Sequence, residues 1–438
     1  MAPTWHNDRG AFTLVALCFT AIIGIALASY LSICLQSLQT STRTVQRGQA
    51  YSLAETGLEE ALVALNESSW TGWSLSGSTM SRTFTDYALG AGGTGQVAVS
   101  VANYSGNFPT LTAAATLSYP NGRSLTRTLR ATTTVAPVFV NAVASASNYV
   151  YFPNGGVIDS WNSDPDNNPA TAVVAYSFTA GNTSNYAAIV SGNYNSTYGV
   201  YLNKATVYGY VNSPDKPITW TSGVGKVKGP TTPAGTDVDT SRVGKSSFVP
   251  MFDIVTPTGA ASYYLDDSND HSTYGTGAST PVILDAYDLY ISSGETLTIN
   301  GPVIIRVSHN LNVYGTGKIL VTANGSLQLF VANDLDISSS GGLQNNTNEP
   351  KKLAVFSTDS STSNYITYSS SADFRGVIYS KNRPIYVTSN AEFYGAFLSD
   401  QWVYFSGSSF KIHYDLALRN ARFSGVDTPY LINQLTEL

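Results

Sequence analysis

An uncharged run of 25 residues sets the first limit on this fold. It covers residues 11–35 and reads AFTLVALCFTAIIGIALASYLSICL. An α-helix rises about 1.5 Å per residue, so about 20 apolar residues already cross the hydrocarbon core of a bilayer. The run therefore predicts a membrane-spanning helix to which the rest of the chain is attached.

The helix is predicted to continue beyond the apolar run. No proline occurs in residues 11–66, and the polar residues that follow Leu35 are compatible with a helix. Leu58, Leu62 and Leu65 recur at the spacing of an amphipathic helix face. We expect one helix over residues 11–66, apolar on all sides in its first half and on one side in its second.

The start of this helix resembles a type IV pilin. Gly10 lies where prepilin peptidase cuts such chains, and FTLVAL at residues 12–17 is similar to the FTLIEL start of the family. Ala11 stands between Gly10 and Phe12, so the scissile bond follows either Gly10 or Ala11. The resemblance implies a leader of residues 1–10.

A second motif in the helix narrows the resemblance. Residues 53–62 read LAETGLEEAL, similar to the A-E-x-G-L-E-x-A-L signature of PilX-type minor pilins. The matching residues are Ala54, Glu55, Gly57, Leu58 and Glu59. The glutamate that major pilins carry at the fifth mature position is replaced by Ala16, counted from Phe12, or by Val15, counted from Ala11. The resemblance therefore implies a minor or tip subunit.

The resemblance also implies partners and a location. The helix would bind other pilins or pseudopilins, after prepilin peptidase has removed the leader. The protein would be a single-pass protein of the bacterial inner membrane before assembly, and part of an extracellular pilus or the cell surface afterwards. Its role would be assembly initiation or adhesion.

Two other interpretations of the apolar run were weighed. A secretory signal peptide has an apolar core of only about 7–15 residues, shorter than this run. A plain single-span anchor of a surface protein is the stronger alternative. Arg9 precedes the run, but Arg43 and Arg47 follow it, so the distribution of positive charge gives only a weak signal for orientation.

Composition describes the body of the chain. Its 438 residues suggest two or three domains, and charged residues make up only 12%. The net charge of −6 and the lack of a run of Lys or Arg argue against nucleic acid as a partner. Both cysteines, Cys18 and Cys34, lie on the predicted helix about 24 Å apart, too far to form a disulfide with each other.

A small antiparallel sheet is predicted after the helix, over residues 67–136. Alternating segments at residues 111–119 and 124–132 flank the turn sequence Pro-Asn-Gly-Arg. Alternation with a period of two around an Asn-Gly pair is a strong hairpin signal. This region would be the head of a pilin.

The larger remainder contains repeats of about 20 residues. FRGVIY at residues 374–379 matches FYGAFL at 393–398, and DLYI at 288–291 returns as NLNV at 310–313 and DLDI at 334–337. Repeats of this length, made of short strands, predict a parallel β-helix, or solenoid. We place it over residues 137–425, with a loop-rich insert at about 214–280 and a C-terminal tail of residues 426–438.

The sequence offers little that indicates catalysis. The four histidines do not pair at metal-ligand spacing, and we expect no cofactor, no metal and no enzymatic activity. DDSNDH at residues 266–271 could attract calcium, but it predicts a solvated loop better. A polysaccharide-degrading β-helix is the enzymatic alternative; its charged candidates are Arg306, Lys318, Arg375, Lys381, Arg383, Asp288, Asp334 and Asp336.

Adhesion is a third possibility for the solenoid. The chain has 28 tyrosines, and its body is rich in Asn, Thr and Ser. Aromatic rings supply apolar area while amides and hydroxyls bond to sugar hydroxyls, so a glycan or another surface ligand is a candidate partner. Tyrosine is also simply a favourable residue on a half-buried strand face.

Overall fold

The computed structural model describes residues 9–438, apart from residues 90–91, 107, 121, 169–170, 180, 194–196, 215, 221–224, 246–248, 363 and 424. The chain forms two compact units. The smaller unit combines the residues up to Val135 with Pro429–Leu438, and the larger unit is Ala136–Thr428. The predicted fold class is confirmed, because one long N-terminal helix precedes an antiparallel sheet and parallel sheets.

Helix α1 spans Arg9–Asn66 without interruption, as the sequence predicts. Its first part is uncovered, and the side chains of Phe12, Leu17 and Ile25 are 80%, 71% and 69% exposed. From Ala50 onward one face is buried. The helix is long and apolar enough to cross a membrane.

A six-stranded antiparallel sheet packs on the C-terminal part of α1. Its strands are β1 (Ser74–Ser76), β2 (Thr79–Ala88), β3 (Thr94–Ala102), β4 (Thr110–Ser118), β5 (Ser124–Val135) and, as the last strand of the chain, β33 (Tyr430–Glu437). The predicted hairpin is present as β4 and β5, paired from Ser118 and Ser124 outward. Inward residues alternate with outward ones along β3, β4 and β5, so one sheet face buries apolar side chains against the helix.

The C-terminal segment differs from the prediction. The sequence suggested a tail for residues 426–438, but Tyr430–Glu437 is an edge strand of the antiparallel sheet, in which Tyr430 pairs with Val135 of β5. Asn66 fixes this strand by accepting a hydrogen bond from the Tyr430 N–H at 2.6 Å. The larger unit is therefore inserted between two neighbouring strands of the smaller one. Alternation is weak in Tyr430–Glu437, and the edge it completes is remote in sequence.

The larger unit is a parallel β-helix. Short 3₁₀ turns lie at Thr240–Arg242, Pro350–Lys352 and Leu416–Asn420. Its strands, in chain order, are β6 (Val143–Ser145), β7 (Val150–Phe152), β8 (Gly156–Trp161), β9 (Ala187–Ser191), β10 (Val200–Leu202), β11 (Ala205–Asn212), β12 (Ile218–Trp220), β13 (Lys226–Lys228), β14 (Val243–Gly244), β15 (Tyr263–Tyr264), β16 (Thr273–Tyr274), β17 (Val282–Ala286), β18 (Leu289–Ile291), β19 (Thr296–Ile299), β20 (Pro302–Val307), β21 (Leu311–Val313), β22 (Lys318–Val321), β23 (Ser326–Val331), β24 (Leu335–Ile337), β25 (Gly342–Asn345), β26 (Leu353–Ser357), β27 (Ile366–Tyr368), β28 (Phe374–Ser380), β29 (Ile385–Val387), β30 (Glu392–Ser399), β31 (Val403–Phe405) and β32 (Lys411–Asp415).

Among the described residues, these strands form parallel sheets of 14, nine and four strands. The predicted repeats are the coils of the helix: Phe374 pairs with Phe393, and Leu289, Leu311 and Leu335 lie in register. Inward side chains are almost all Leu, Ile, Val and Phe, and they form one continuous core. One coil could not bury this face alone, so the stack is the stable unit.

The coils do not stack in chain order. In the nine-stranded sheet the order is β12-β10-β7-β31-β29-β27-β24-β21-β18, so the last coils in sequence lie against the first. In the 14-stranded sheet β32 lies between β30 and β8. The chain thus enters the stack in its middle, builds one half outward, and later returns from the far end.

The predicted insert at residues 214–280 is therefore partly wrong. It contains β12 to β16, which pair with the coils at both ends of the stack. The stretch between β14 and β15 runs back along the stack. There Tyr379 Oη donates to the Phe252 carbonyl at 2.6 Å, and Ile254 bridges to Val426. Low hydrophobicity made these short end strands look like loop.

Candidate functional surfaces: the helix and an aromatic face

The predicted pilin signature lies where α1 crosses the sheet. Ala54 and Leu58 are buried, whereas Glu55 is half-buried and Glu59 exposed. Gly57 makes the closest approach: a Cβ built on it would lie 2.6 Å from Cγ2 of Val97. The spacing of small and apolar residues in the signature thus has a direct physical reason, since the helix axis can approach the sheet only at a glycine.

The predicted cleavage residues lie at the start of the helix. Gly10, Ala11 and Phe12 belong to the first turns of α1, while residues 1–8 of the leader lie outside the described part of the chain. The side chain of Phe12 is exposed. Whether a peptidase cuts here stays a prediction.

The most distinctive surface of the β-helix is a cluster of eight aromatic side chains, here named the aromatic face. Four coils contribute a three-residue strand in which a tyrosine faces outward between two buried apolar residues. Further rings flank these strands. The members are Tyr149, Tyr151, Tyr198, Tyr201, Tyr365, Tyr386, Trp402 and Tyr404.

Four of these rings form a ladder. Parallel register places Tyr201, Tyr151, Tyr404 and Tyr386 side by side on β10, β7, β31 and β29. Ring centroids are 4.5 Å apart for Tyr201 and Tyr151, 4.9 Å for Tyr151 and Tyr404, and 5.1 Å for Tyr404 and Tyr386. The first two pairs are stacked at 18°. The rings therefore stand on edge along the axis of the stack.

A second row lies beside the ladder. The rings of Tyr149 and Trp402 are parallel within 4° at 6.1 Å, and Tyr365 lies 5.1 Å from Trp402. Thr388 and Ser406 follow Tyr386 and Tyr404 by two residues and are half-buried. The aromatic face thus presents ring edges and hydroxyl groups, and none of its eight members carries a charge.

The phenol groups of the ladder keep their protons over a wide pH range. Burial, reinforced by the neighbouring phenols, raises the pKa of Tyr198 to about 12 and raises the pKa of Tyr149. The pKa of Tyr404 is raised for the same reasons. Within the described part of the chain, the hydroxyls of Tyr201, Tyr386 and Tyr404 have no hydrogen-bond partner, so they are available to a ligand.

These pKa shifts predict alkaline destabilisation of the β-helix. Because the folded pKa of Tyr149, Tyr198 and Tyr404 exceeds the unfolded value of about 10, their contribution to stability is complete below pH 10 and is lost as the pH rises through the folded pKa. We expect the midpoint of thermal unfolding to fall steadily above pH 10. Tyr198→Phe should reduce this fall, and an unchanged midpoint up to pH 12 would contradict the prediction.

A buried polar network lies elsewhere on the β-helix. His413 Nδ1 is 2.6 Å from Asp159 Oδ1, and Tyr176 Oη donates to Asp159 Oδ2 at 2.8 Å. His413 Nε2 lies 3.7 Å from Glu392 Oε2, and the Tyr394 ring packs against the imidazole. The groups resemble an acid–base cluster, but His413 is only 2% exposed, so a polymer cannot reach it. The network fixes the 162–186 loop onto the coil.

The charged candidates for polysaccharide cleavage do not meet at one site. Arg306 forms a bidentate pair with Asp285 at 2.6 and 2.8 Å, and lines an open groove of about 500 Å³. Arg383 is buried against Asp334, and Asp288 contacts His309 at 2.8 Å. The other candidates lie on separate strands: Lys318 on β22, Asp336 on β24, Arg375 on β28 and, just after that strand, Lys381.

Acidic residues gather at one end of the stack. Ligand atoms of Asp270, His271 and Glu295 lie within 4.8 Å of one another, and burial raises the pKa of Asp270. Three ligands are fewer than the four of a structural zinc site. Asp266, a candidate in the same loop, accepts hydrogen bonds from Ser268 and so shapes its own turn.

Sequence reasoning missed the aromatic face and the His413 network. A usable signal existed for the first: the triplets VYF, VYL, IYV and VYF at residues 150–152, 200–202, 385–387 and 403–405 repeat an outward tyrosine. No spacing connects Asp159 with His413, which are 254 positions apart. Their contact exists only because β8 pairs with β32.

Comparisons with known proteins describe the neighbourhood of this chain. Residues 262–421 match the model of a family described as a domain of unknown function, DUF7305. No curated protein matches the chain. Among solved structures, the competence-associated pilin ComZ from Thermus thermophilus is similar at 9% identity and a TM-score of 0.22, covering 89% of this chain and 97% of ComZ. An ice binding protein from an Antarctic Flavobacteriaceae bacterium is similar at 11% identity and a TM-score of 0.21, covering 64% of this chain and 80% of that one.

Proposed function

We propose that this chain is a pilin-like minor subunit of a type IV pilus or a type II secretion pseudopilus, with the β-helix as a displayed module. One observation carries the proposal: the apolar part of α1 is uncovered, while its continuation is packed on an antiparallel sheet. Such a helix anchors the protein in the inner membrane, then leaves lipid and packs against neighbouring pilin helices in a filament. The PilX-type signature at residues 54–59 supports the same role.

The β-helix suits a rare or terminal position. It adds Ala136–Thr428 to the subunit, about twice the length of the smaller unit. A filament in which every subunit carried this module would be hard to pack. The module then serves assembly initiation or adhesion, and in this proposal it binds its ligand without cleaving it. Depolymerisation of a glycan by the purified chain would contradict that part.

Replacing Gly10 tests the pilin role. We expect Gly10→Val to abolish removal of the leader, because prepilin peptidase requires a small residue before the scissile bond. Intact-mass measurement should find the wild-type chain shortened by 10 or 11 residues in a sheared surface fraction, and the variant at full length in the membrane. Gly24→Val, in the same helix and with no atom within 4 Å of the new Cβ, is the matched control and should be processed normally.

The alternative is a single-span anchored surface protein. It predicts that the wild-type chain keeps its full length, stays in the membrane fraction and is unaffected by Gly10→Val. This outcome would overturn the pilin role while leaving the β-helix as a surface module.

A further inference from the structure

The aromatic face consists of groups that recognise uncharged hydroxylated polymers. Its ladder exposes one phenol edge per coil, and its border carries the hydroxyls of Thr388 and Ser406. Tyrosine combines an apolar ring with a hydrogen-bonding tip at low entropic cost, which is why it dominates many recognition surfaces. The eight rings place this combination in one continuous patch.

The spacing of the ladder suits a repeating ligand. Neighbouring strands of a sheet are about 4.8 Å apart, so the free hydroxyls of Tyr201, Tyr404 and Tyr386 recur at multiples of that distance. One pyranose unit of an extended β-1,4-linked chain has nearly the same length. A chain lying along the stack would therefore present one sugar hydroxyl to each coil.

The electrostatics of the patch select against charged polymers. None of the eight members is ionisable below alkaline pH, and the chain as a whole carries a net charge of −6. An anionic polysaccharide would lose hydration here without gaining a cationic partner. Farther along the same outward column, after Thr367, lies Asp336. Its Oδ1 has no hydrogen-bond partner among the described residues and can accept a bond from a sugar hydroxyl.

We propose that the aromatic face binds an uncharged, extended polysaccharide of pyranose units, of the cellulose or chitin type, with the polymer lying along the β-helix axis. Ring edges cover the apolar C–H groups of the sugars, and the phenol hydroxyls bond to the sugar hydroxyls. The inference gives the displayed module a ligand class. It rests on the proposed function only in requiring that the β-helix faces the outside of the cell.

The test uses the full-length chain in detergent micelles. Retention on crystalline cellulose and on chitin is measured together with titration calorimetry against cellohexaose and chitohexaose. Alginate serves as the anionic probe and polystyrene beads as the plain apolar surface. We expect the wild type to bind at least one of the two neutral polymers, with little dependence on salt, and to bind alginate and polystyrene weakly or not at all.

Variants locate the site. Tyr386→Ala combined with Tyr404→Ala should weaken binding at least about tenfold, whereas the double Phe variant, which keeps the ring stack, should lose about threefold. Tyr290→Ala is the matched control: Tyr290 lies in the same outward column on β18, far from the aromatic face, and should bind like the wild type. Circular dichroism confirms that each variant is folded.

Three results would overturn the inference. They are no binding to either neutral polymer, equal binding by the wild type and the double Ala variant, or equal loss on polystyrene and on polysaccharide. None of them bears on leader removal, which the intact mass reports separately. A chain that binds chitin but keeps its leader would retain the glycan site and lose the pilin role.

Discussion

Leucine in place of Gly57 is expected to separate the sheet from helix α1. A Cβ at this position would lie 2.6 Å from Val97 Cγ2, 3.0 Å from Val99 Cγ2 and 3.2 Å from Ala113 Cβ, and a leucine adds three further carbons to that space. Overpacking of a well-formed core costs about 1–3 kcal/mol and sometimes more, and three rigid neighbours place this site at the upper end. Hydrogen exchange of the amides in β3 and β4 measures the effect in the full-length chain.

Gly48→Leu is the matched control for Gly57→Leu. Gly48 lies on the same helix, and a Cβ there meets no atom within 4 Å. Leucine has the better helix propensity by up to about 1 kcal/mol, so this variant should be neutral or slightly more stable. Equal protection of the sheet amides in both variants would show that Gly57 is not a close-packing position. The expected contrast would give the pilin signature a structural cause.

Arg383→Met is expected to destabilise the β-helix by about 3–5 kcal/mol, the usual cost of removing one partner from a buried ion pair. Arg383 is fully buried, yet it donates to Asp334 Oδ1 at 2.8 Å and to Asn333 Oδ1 at 3.0 Å, and it pairs with Asp359. Methionine nearly fills the space but leaves the Asp359 carboxylate without its cation. Thermal unfolding followed by circular dichroism measures the loss.

A cation two residues earlier provides the comparison. Lys381 pairs with Asp253, but the two side chains are 42% and 71% exposed. Surface pairs of this kind contribute about 0–1 kcal/mol, so Lys381→Met should shift the unfolding midpoint little. If the two variants lost equal stability, burial of Arg383 would not be what makes its ion pairs important.

Much of the fold follows from local sequence patterns. The helix Arg9–Asn66 was predictable because its apolar run and its later Leu58–Leu65 stripe are properties of consecutive residues. The β4–β5 hairpin was predictable from alternation around an Asn-Gly pair. The coils at residues 282–345 and 374–398 were predictable because each repeats its inward apolar positions at nearly constant spacing.

The order of the coils could not be predicted in the same way. Every coil buries a similar set of Val, Ile and Leu, so the inward pattern is compatible with many stacking orders. The observed order brings Phe152 against Phe405 and Phe410, at 5.4 Å in each case. Such contacts join segments about 250 residues apart, and they have no local signature.

The candidate sites follow the same division. The pilin signature is local, so Ala54, Glu55, Gly57, Leu58 and Glu59 could be selected from the sequence. The aromatic face combines Tyr151 and Tyr201 from the first half of the β-helix with Tyr386 and Tyr404 from the second. Each tyrosine alone looks like an ordinary strand residue, and only the β7–β31 pairing makes them neighbours.

The sequence by itself determined a long helix with an apolar first half, a small antiparallel sheet and a set of parallel coils, because hydrophobic period and turn chemistry act within a few residues. The tertiary structure decided that the coils stack from the middle of the chain outward, that Tyr430–Glu437 closes the sheet beside Val135, and that eight rings share one face. These outcomes depend on which of several similar apolar surfaces pack together, and that choice is made by contacts between residues remote in sequence.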